Sequence, residues 1–582
     1  MGKRESRRSV PAVRHLEPVD RAILAADGPA VADNPPVPET SPPSPSARPG
    51  RAAGSFLLGA LPFALIAGFA VRLADRATDD MYITYRYAQN LAAGRGLVFN
   101  PGERIFGVTD PGIALVLAAV HRVTTWPIPL LGTWLHAISI AMVAGLLLDA
   151  ARRHHRQPEA IAAGLLLVTS SVLWAAQGSG PPVAVALLLL AAKAQERYPV
   201  CAGALAGLAA ICRPDALVGV AILGAMEWLR RSGETVRRPV GDRPSPAWRF
   251  PWAYGFAAIA VVVLGLLAAW AWFGTLIPNT LAAKRAYATL DPERWRGGFE
   301  FWSRGYELLA SSAGPLAPGL VALGIVGLPF LWRSAGRPGR LLALYGAALA
   351  LIYPLLGVPF FVWYAAPPLI ALLSAAPFAI GAAVRRIERR GFTLVSSSSK
   401  DDRREARTDA ARASTRSWLA AVVLLGLALP LVGSLAGGFR AAKNPGAGDW
   451  RFPAYSLAGA WIAAHSTPEE DVAYEEIGIL AFTADRPVQD LVGLVTPRSL
   501  PFAHDRLGAF LAKPTTFVVF HTYNTRGGTR PIVDRPWFPK AYREVARFPS
   551  SLPGYEGRYL AIYRRIPGAP VPPPRPPRER NR

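Results

Sequence analysis

Cysteine is almost absent from this chain. The 582 residues include two, Cys201 and Cys212, which would lie about 16 Å apart along a single helix. That separation is too long for a disulfide bond, so we interpret both as small apolar residues. The spacings typical of zinc or iron–sulfur ligands are also missing, which excludes those classes.

The N-terminal segment lacks a long apolar run. It is rich in Pro, Ser, Ala and charge, and no apolar stretch precedes Ser55, so a cleavable signal peptide is not expected. We predict that residues 1–52 form a disordered cytoplasmic tail. The Pro- and Arg-rich residues 567–582 are expected to form a second disordered tail.

Long apolar runs are abundant elsewhere in the chain. Hydrophobic residues make up 51% of the chain, and the formal net charge is +24. The arginines cluster in short loops between apolar runs, which is typical of the positive-inside rule and of affinity for anionic lipid. No nucleic-acid partner is expected. The sequence predicts a polytopic α-helical protein in a lipid bilayer.

Eleven apolar runs are candidate membrane helices. If the N-terminus is cytoplasmic and Thr109–Val123 lies along the outer interface, every strongly basic loop falls on the inner side. We predict a transmembrane domain over 53–437, with its first outer loop over 74–129. The candidate spans are Ala53–Leu73, Leu130–Ala150, Glu159–Ala176, Pro181–Ala192, Pro199–Ile211, Ala216–Leu229, Trp252–Phe273, Gly314–Leu331, Leu341–Leu356, Phe360–Val384 and Trp418–Ala436.

The chain changes character after the last candidate span. Apolar runs at Val472–Tyr474, Thr516–Phe520 and Tyr559–Tyr563 are too short to cross a bilayer and are typical of strands. Tyr455–His465 is typical of a short helix. We predict an α/β domain over 438–566, extracytoplasmic by topology.

An acidic pair, Asp79 and Asp80, follows the first candidate span. Transfer of a sugar to a hydroxyl group needs a carboxylate that accepts the hydroxyl proton. Adjacent carboxylates also raise one another's pKa or share a cation. The alternative is a solvated pair at the start of a helix over Met81–Ala92, where negative charge is favoured. The spacing leaves both interpretations open, and both residues are candidate catalytic groups.

Cationic residues collect on the same predicted outer side. Arg213, followed by Pro214 and Asp215, runs against the positive-inside bias. It is therefore a candidate phosphate ligand, and the alternative is a side chain that reaches toward the headgroups. The group Asn279, Lys284 and Arg285 could also hold a phosphate or could anchor the interface.

Aromatic residues complete the set of candidate residues for binding a lipid-linked sugar donor, which also includes Arg213, Asp215, Asn279, Lys284 and Arg285. Trp363 and Tyr364 begin a span, where they could stack on sugar or prenyl chain or belong to an interfacial aromatic belt. Tyr82 and Arg86 lie in the aromatic segment behind the acidic pair. In contrast, we interpret the acidic residues Glu475, Glu476, Asp485 and Asp490 as surface-loop residues around the strands.

Residues 79–111, DDMYITYRYAQNLAAGRGLVFNPGERIFGVTDP, resemble the first outer loop of the GT-C glycosyltransferases. The resemblance is to the branch near the mycobacterial terminal β-(1→2) arabinofuranosyltransferase and its bacterial relatives. Arg213–Asp215, Gly274–Lys284 and Tyr474–Pro497 match the same branch in order.

The resemblance implies an inverting enzyme of the bacterial inner membrane. Such enzymes transfer a sugar from a polyprenyl-phosphate donor to a glycan, glycolipid or protein acceptor on the outer face. The resemblance further implies that Asp79 or Asp80 is the general base, and that Arg213, Lys284 or Arg285 holds the donor phosphate. Some members need a divalent cation and others do not, so the resemblance leaves a divalent cation open and specifies no cofactor.

Two other classes are considered. A transporter or flippase of a lipid-linked saccharide would carry ionisable residues within its spans and an inverted repeat, and neither is evident. A scaffold without chemistry would tolerate loss of both Asp79 and Asp80. One loop departs from the resemblance: residues 177–182 read QGSGPP, with no acidic residue where many relatives have one.

Overall fold

The computed structural model describes most of the chain. The described residues are 60–61, 63–65, 67–68, 71, 78–236, 251–288, 298, 300–357, 359–396, 452–502, 505–522, 528–550 and 556–577. The predicted span Trp418–Ala436, most of Ala53–Leu73 and the predicted tail 1–52 lie outside these residues.

The N-terminal part of the described chain is helical. A short 3₁₀ turn at Gly314–Leu316 precedes α12. The helices are α1 (Asp79–Ala92), α2 (Pro111–Thr124), α3 (Ile128–Arg152), α4 (Gln157–Thr169), α5 (Ser171–Trp174), α6 (Gly180–Ala194), α7 (Pro199–Cys212), α8 (Ala216–Val236), α9 (Trp252–Phe273), α10 (Asn279–Ala288), α11 (Glu300–Ala313), α12 (Ala317–Ser334), α13 (Gly336–Leu355) and α14 (Val362–Ser396).

Five stretches of the described chain are long and apolar enough to cross a membrane. They are Ile128–Arg152, Trp252–Phe273, Gly314–Ser334, Gly336–Leu355 and Val362–Arg386. Helices α2, α4, α6 and α7 are apolar but shorter, at 10–17 residues, and a full crossing takes about 20. These helices indicate a multi-pass membrane protein, whereas the predicted number of eleven spans is not confirmed.

Small residues allow the helices to pack closely. Gly203 and Gly207, four positions apart on α7, face α9, where a Cβ atom on Gly207 would lie 2.7 Å from the Cβ of Val261. On α12, a Cβ atom on Gly324 would lie 2.9 Å from the carbonyl oxygen of Leu372 in α14. Glycines at such spacing let backbones approach in lipid, where van der Waals packing drives association.

The C-terminal part contains a five-stranded mixed sheet with the strand order β2-β1-β3-β5-β4. β1 pairs in parallel with β2 and β3, and β5 pairs antiparallel with β3 and β4. The strands are β1 (Val472–Tyr474), β2 (Val488–Asp490), β3 (Phe517–His521), β4 (Tyr542–Pro549) and β5 (Tyr559–Arg565); the helices are α15 (Phe452–His465), α16 (Gly478–Ala484), α17 (Arg506–Ala512), α18 (Arg530–Val533) and α19 (Phe538–Ala541), with a 3₁₀ turn at Pro497–Phe502.

The predicted strands and helix of this part occur within a few residues of their predicted bounds. β2 and β4 were not predicted. β2 has three residues, too few to show a pattern. β4 is exposed over much of its length. Its sequence, YREVARFP, therefore mixes charged with apolar residues and lacks the apolar run that identified the other strands.

Edge strand β2 pairs with a side chain of the first loop instead of a further strand. The Asn100 carboxamide donates to the carbonyl of Val488 at 2.9 Å and accepts from the Val488 amide at 2.9 Å. Its nitrogen also donates to Glu103 at 3.0 Å. Asn100 is buried, so it satisfies two backbone groups that would otherwise lack partners in the interior.

We expect Asn100→Ala to lower the free energy of unfolding by about 2–4 kcal/mol, because it leaves a buried donor and a buried acceptor unpaired. Chemical unfolding of the detergent-purified protein measures this change. Glu103→Gln is the matched control, since the glutamine still offers Asn100 an acceptor, and it should cost less than about 1 kcal/mol. Equal stability of Asn100→Ala and wild type would contradict the edge-pairing role.

Candidate functional site

Helix α1 presents different faces to the two parts of the protein. Asp79, Tyr82, Arg86 and Gln89 fall on one face at helical spacing, and this face contacts α16 of the C-terminal part. Tyr82 is 5.4 Å from the Phe482 ring, and Gln89 donates to the Phe482 carbonyl. Asp80 and Thr84, one turn apart, share a second face. The faces of α1 therefore separate the adjacent residues Asp79 and Asp80.

The Asp79 carboxylate binds the N-terminus of α16. It accepts hydrogen bonds from the amides of Gly478 at 3.1 Å and Ile479 at 2.8 Å. A negative charge is stabilised there by unpaired amides and by the helix dipole. A Cβ atom on Gly478 would collide with the backbone of Asp79, so this approach requires glycine. Asp79 thus connects the first loop to the C-terminal sheet.

Arg86 belongs to the same connection between α1 and the C-terminal part. Its guanidinium is fully buried, pairs with Asp485 at the end of α16, and donates to Gln89 at 2.9 Å. Arg95 approaches the same carboxylate at 2.9 Å. Burial opposes ionisation of Asp485, but Arg86 and Arg95 together lower the pKa of its carboxyl. Asp485 is therefore an ion-pair partner rather than a simple surface-loop residue.

The second face of α1 leads toward the membrane helices. Thr84 donates to Asp110 at 2.6 Å, and Asp80, one turn earlier, is half-buried. Asp110 is 4% exposed and lies within electrostatic reach of Arg213 and the Gly180 amide. Burial raises the pKa of the Asp110 carboxyl, although Thr84 and Arg213 partly offset this effect. The Asp110 carboxylate, which belongs to the first loop, thus lies near Gly180 in the QGSG loop over 177–180. That loop contains no acidic residue.

Arg213 is held in one orientation by Asp215. Its Nε and Nη2 atoms donate to Asp215 Oδ2 at 3.2 and 2.9 Å, and Tyr353 donates to the same oxygen at 2.7 Å. Gly180 gives Arg213 room, because a Cβ atom there would lie 2.7 Å from the Arg213 side chain. The predicted pair of Arg213 and Asp215 is thus a buried, oriented ion pair.

A second cation, Lys284, contacts the same tyrosine as Arg213. Lys284 donates to the Tyr364 hydroxyl at 2.8 Å, and the Arg213 guanidinium lies 5.3 Å from the Tyr364 ring centre. Trp363 stacks on Phe361 with ring centres 4.6 Å apart. Arg213, Lys284 and Tyr364, called here the cation group, thus place two cations beside one tyrosine, an arrangement that could bind a phosphate.

Two predicted donor-binding residues lie apart from this group. The Asn279 carboxamide donates to the carbonyls of Gly493 and Leu494 at 2.6 and 2.8 Å, so it connects α10 to the C-terminal part. Arg285 is exposed at the surface of α10. Tyr82 and Arg86 likewise contact the C-terminal part, at Phe482 and Asp485.

A polar cluster lies where the parallel strands β1 and β3 end. The Tyr474 hydroxyl donates to Tyr455 at 2.8 Å and lies 2.8 Å from Nδ1 of His521, and Tyr455 donates to Glu476. Burial raises the pKa of Glu475, although Arg506 and His521 partly offset the effect. The interpretation of Glu475 and Glu476 as simple surface-loop residues is therefore wrong, because both take part in a half-buried network.

Asp490 is also buried rather than superficial. It is 0% exposed and accepts the amides of Val492 at 2.8 Å and Val495 at 3.0 Å. These bonds shape the turn that presents the carbonyls bound by Asn279. Asp490 was predicted to be a surface residue because its neighbours in sequence include charged and turn-forming residues.

Sequence reasoning missed Asp110, Tyr345 and Tyr353. Asp110 precedes Pro111, so its obvious role is to start a helix, and Tyr345 and Tyr353 lie inside an apolar run. Their eight-residue spacing on one helix was the only available signal. Among the described residues, no group of three or more His, Cys, Asp or Glu side chains could hold a metal ion.

The chain resembles known proteins in two ways: part of its sequence matches a family, and its fold is similar to that of solved structures. Residues 449–563 match a family described as a domain of unknown function (DUF8728). No curated protein sequence matches the chain. The crystal structure of ArnT from Cupriavidus metallidurans bound to undecaprenyl phosphate is 15% identical, with a TM-score of 0.52 over 89% of this chain and 98% of ArnT. Its apo structure is 16% identical, with a TM-score of 0.50 over 88% and 98%.

The similarity to ArnT identifies the fold. The chain is a multi-pass membrane protein with a small C-terminal sheet, and its fold is that of ArnT. At 15–16% identity, the similarity is evidence for the fold alone.

The ion pair of Arg86 provides a test of how the two parts are connected. We expect Asp485→Asn to lower the free energy of unfolding by about 3 kcal/mol, since it leaves a buried guanidinium without its charge partner. Asn tolerates the left-handed φ of +49° at this position. Arg95→Gln, which removes the exposed partner of the same carboxylate, should cost less than about 1 kcal/mol.

Thermal or chemical unfolding in detergent measures both variants. Because pairing lowers the pKa of Asp485, its contribution should be present at neutral pH and lost only as pH falls through that lowered value. Similar losses from Asp485→Asn and Arg95→Gln would contradict the assignment.

Proposed function

We propose that this protein is an inverting glycosyltransferase that uses a polyprenyl-phosphate sugar as its donor. The observation that carries the proposal is the convergence of Arg213 and Lys284 on Tyr364, with Asp110 linking this group to the Asp80 face of α1. Undecaprenyl phosphate is bound in the ArnT crystal structure that shares this fold. An oriented pair of cations near a carboxylate is the arrangement that such a transfer needs.

In the proposed reaction, a hydroxyl oxygen of the acceptor attacks the anomeric carbon of the donor sugar. The bond between that carbon and the phosphate oxygen breaks, and the hydroxyl proton passes to a carboxylate. The product is the glycosylated acceptor, and polyprenyl phosphate leaves with one additional negative charge. Arg213 and Lys284 offset that charge as it develops, and Asp215 keeps Arg213 in place.

We assign the role of general base to Asp80. Both oxygens of Asp79 accept backbone amides of α16, so Asp79 holds the C-terminal part in position. Asp80 shares its helix face with Thr84, whose partner Asp110 lies near Arg213. Asp80 is thus the member of the pair on the side of the cations.

We further propose that the protein resides in a bacterial inner membrane with its N-terminus in the cytoplasm. Residues 53–437 then form the catalytic membrane domain, and residues 438–566 form an extracytoplasmic domain connected to it through Asp79 and Arg86. The acceptor is a glycan, glycolipid or protein of the cell envelope. The basic loops on the predicted inner side support this orientation.

The reaction can be tested in lipid nanodiscs. Purified protein is incubated with radiolabelled undecaprenyl-phosphate arabinose, mannose, glucose or galactose and an envelope-glycan extract. We expect transfer from one donor, and a decrease in kcat of about 100-fold or more in Asp80→Asn, because the proton acceptor is removed. Asp79→Asn should mainly lower Tm, because it weakens the contact with α16.

The two aspartate variants serve as controls for each other. Normal transfer by a folded Asp80→Asn protein, or selective loss of kcat in Asp79→Asn, would contradict the assignment of the base. Absence of transfer from every donor, with lipid-linked sugar still co-purifying, would favour a transporter or flippase instead.

The cation group can be tested separately by lipid binding. We expect Lys284→Gln to weaken binding of undecaprenyl phosphate by about 10-fold or more, because a charge-assisted hydrogen bond to phosphate is lost. Arg285→Gln is the matched control, since the adjacent cation is exposed and lies outside the group, and it should have little effect. Equal effects of the two variants would indicate nonspecific attraction of the lipid.

A further inference from the structure

Two buried oxygen atoms near Arg213 have no hydrogen-bond partner within the described part of the chain. They are Oδ1 of Asp215 and the hydroxyl of Tyr345. Tyr345 is 1% exposed, and the Asp215 side chain is 13% exposed. Buried polar atoms without partners cost stability and are rare in native proteins. Two of them at one place indicate that a polar group from outside the protein completes their bonding.

The two residues lie within electrostatic reach of each other. Asp215 immediately precedes α8, and Gly219 follows it by four positions, in the first turn of that helix. A Cβ atom on Gly219 would lie 3.3 Å from the Tyr345 ring, so that ring packs against α8 next to Asp215. Tyr345 is also within electrostatic reach of both Asp215 and Arg213. The absence of a side chain at Gly219 thus leaves space for Leu188 and for the Tyr345 ring.

The rest of the Asp215 carboxylate is already occupied. Oδ2 accepts from Arg213 and Tyr353, which leaves Oδ1 for a further donor. A phosphate oxygen cannot serve as that donor, because it carries no proton at neutral pH and is repelled by the carboxylate. A prenyl chain has no polar hydrogen to offer. A sugar hydroxyl can donate to Oδ1, and a second hydroxyl can pair with the phenol of Tyr345.

We propose that Asp215 Oδ1 and the Tyr345 hydroxyl bind hydroxyl groups of the donor sugar. This inference rests on the proposed function, in which Arg213 and Lys284 hold the adjacent phosphate. In a polyprenyl-phosphate sugar, one oxygen atom separates the phosphorus from the anomeric carbon, so the sugar must lie beside the phosphate group. Oδ2 of Asp215 then orients Arg213, which binds the phosphate of the donor. Oδ1 of the same carboxylate binds the sugar.

The test compares bare undecaprenyl phosphate with undecaprenyl-phosphate arabinose, mannose, glucose and galactose in nanodisc binding measurements. Wild type should bind at least one sugar-bearing lipid more tightly than the bare lipid. Tyr345→Phe should weaken binding of that sugar-bearing lipid by about threefold to tenfold, as expected for one hydrogen bond, and should leave the bare lipid unchanged. Its Tm should not fall, because the hydroxyl has no protein partner in the described chain.

Tyr353→Phe is the matched control from the same helix. It removes the hydroxyl that bonds to Asp215 Oδ2 and so loosens Arg213, which should weaken binding of bare and sugar-bearing lipids alike. The contrast between the two tyrosine variants separates recognition of the sugar from recognition of the phosphate.

Three results would be decisive against these assignments. If Tyr345→Phe weakens both kinds of lipid equally, or neither, the sugar site is overturned and an ordered water fills the space. If wild type binds no sugar-bearing lipid more tightly than the bare one, the sugar site is likewise overturned, while the phosphate site stands. If wild type binds neither kind of lipid, the proposed function itself fails.

Discussion

Helix α1 packs against two different parts of the protein at once, and the positions of the candidate site residues depend on that packing. One face carries Asp79 and Arg86, whose charges are buried against both ends of α16. Neither charge could be buried without its partner, because desolvation of an isolated ion costs several kcal/mol. These contacts therefore fix the position of the first loop relative to the C-terminal sheet. In that position, Asp80 lies on the face of α1 that leads to the membrane helices.

In the cation group, at the ends of the membrane helices, the buried charge of Arg213 likewise needs a partner of opposite charge. Arg213 is buried, and it can be retained there because Asp215 binds it directly and Asp110 lies nearby. The carboxylate also keeps the guanidinium in one orientation, which a flexible surface arginine would not maintain. Lys284 reaches Tyr364 from a different helix. Two cations are thereby held in place before any anion arrives, which is what electrostatic preorganisation requires.

Sequence patterns identified several members of this group before their geometry was known. Arg213, Asp215, Lys284 and Tyr364 were selected because each lies in a polar or aromatic cluster on the predicted outer side, and the structure brings them together. Arg86 was selected for the same kind of reason, yet it pairs with Asp485, which is about 400 positions away in the chain. A pattern of residue types cannot distinguish a cation that binds a ligand from one that binds a distant carboxylate.

By itself, the sequence determined the class of protein. The lengths of the apolar runs and the asymmetry of charge between loops are local properties, and they reflect the cost of burying backbone and charge in lipid. Only the tertiary structure separated Asp79 from Asp80, because adjacent residues on a helix point about 100° apart, and Asp79 alone of the two accepts the amides of Gly478 and Ile479. It alone also revealed Asp110 and Tyr345, since their significance comes from burial beside Arg213 and Asp215 rather than from their neighbours in sequence.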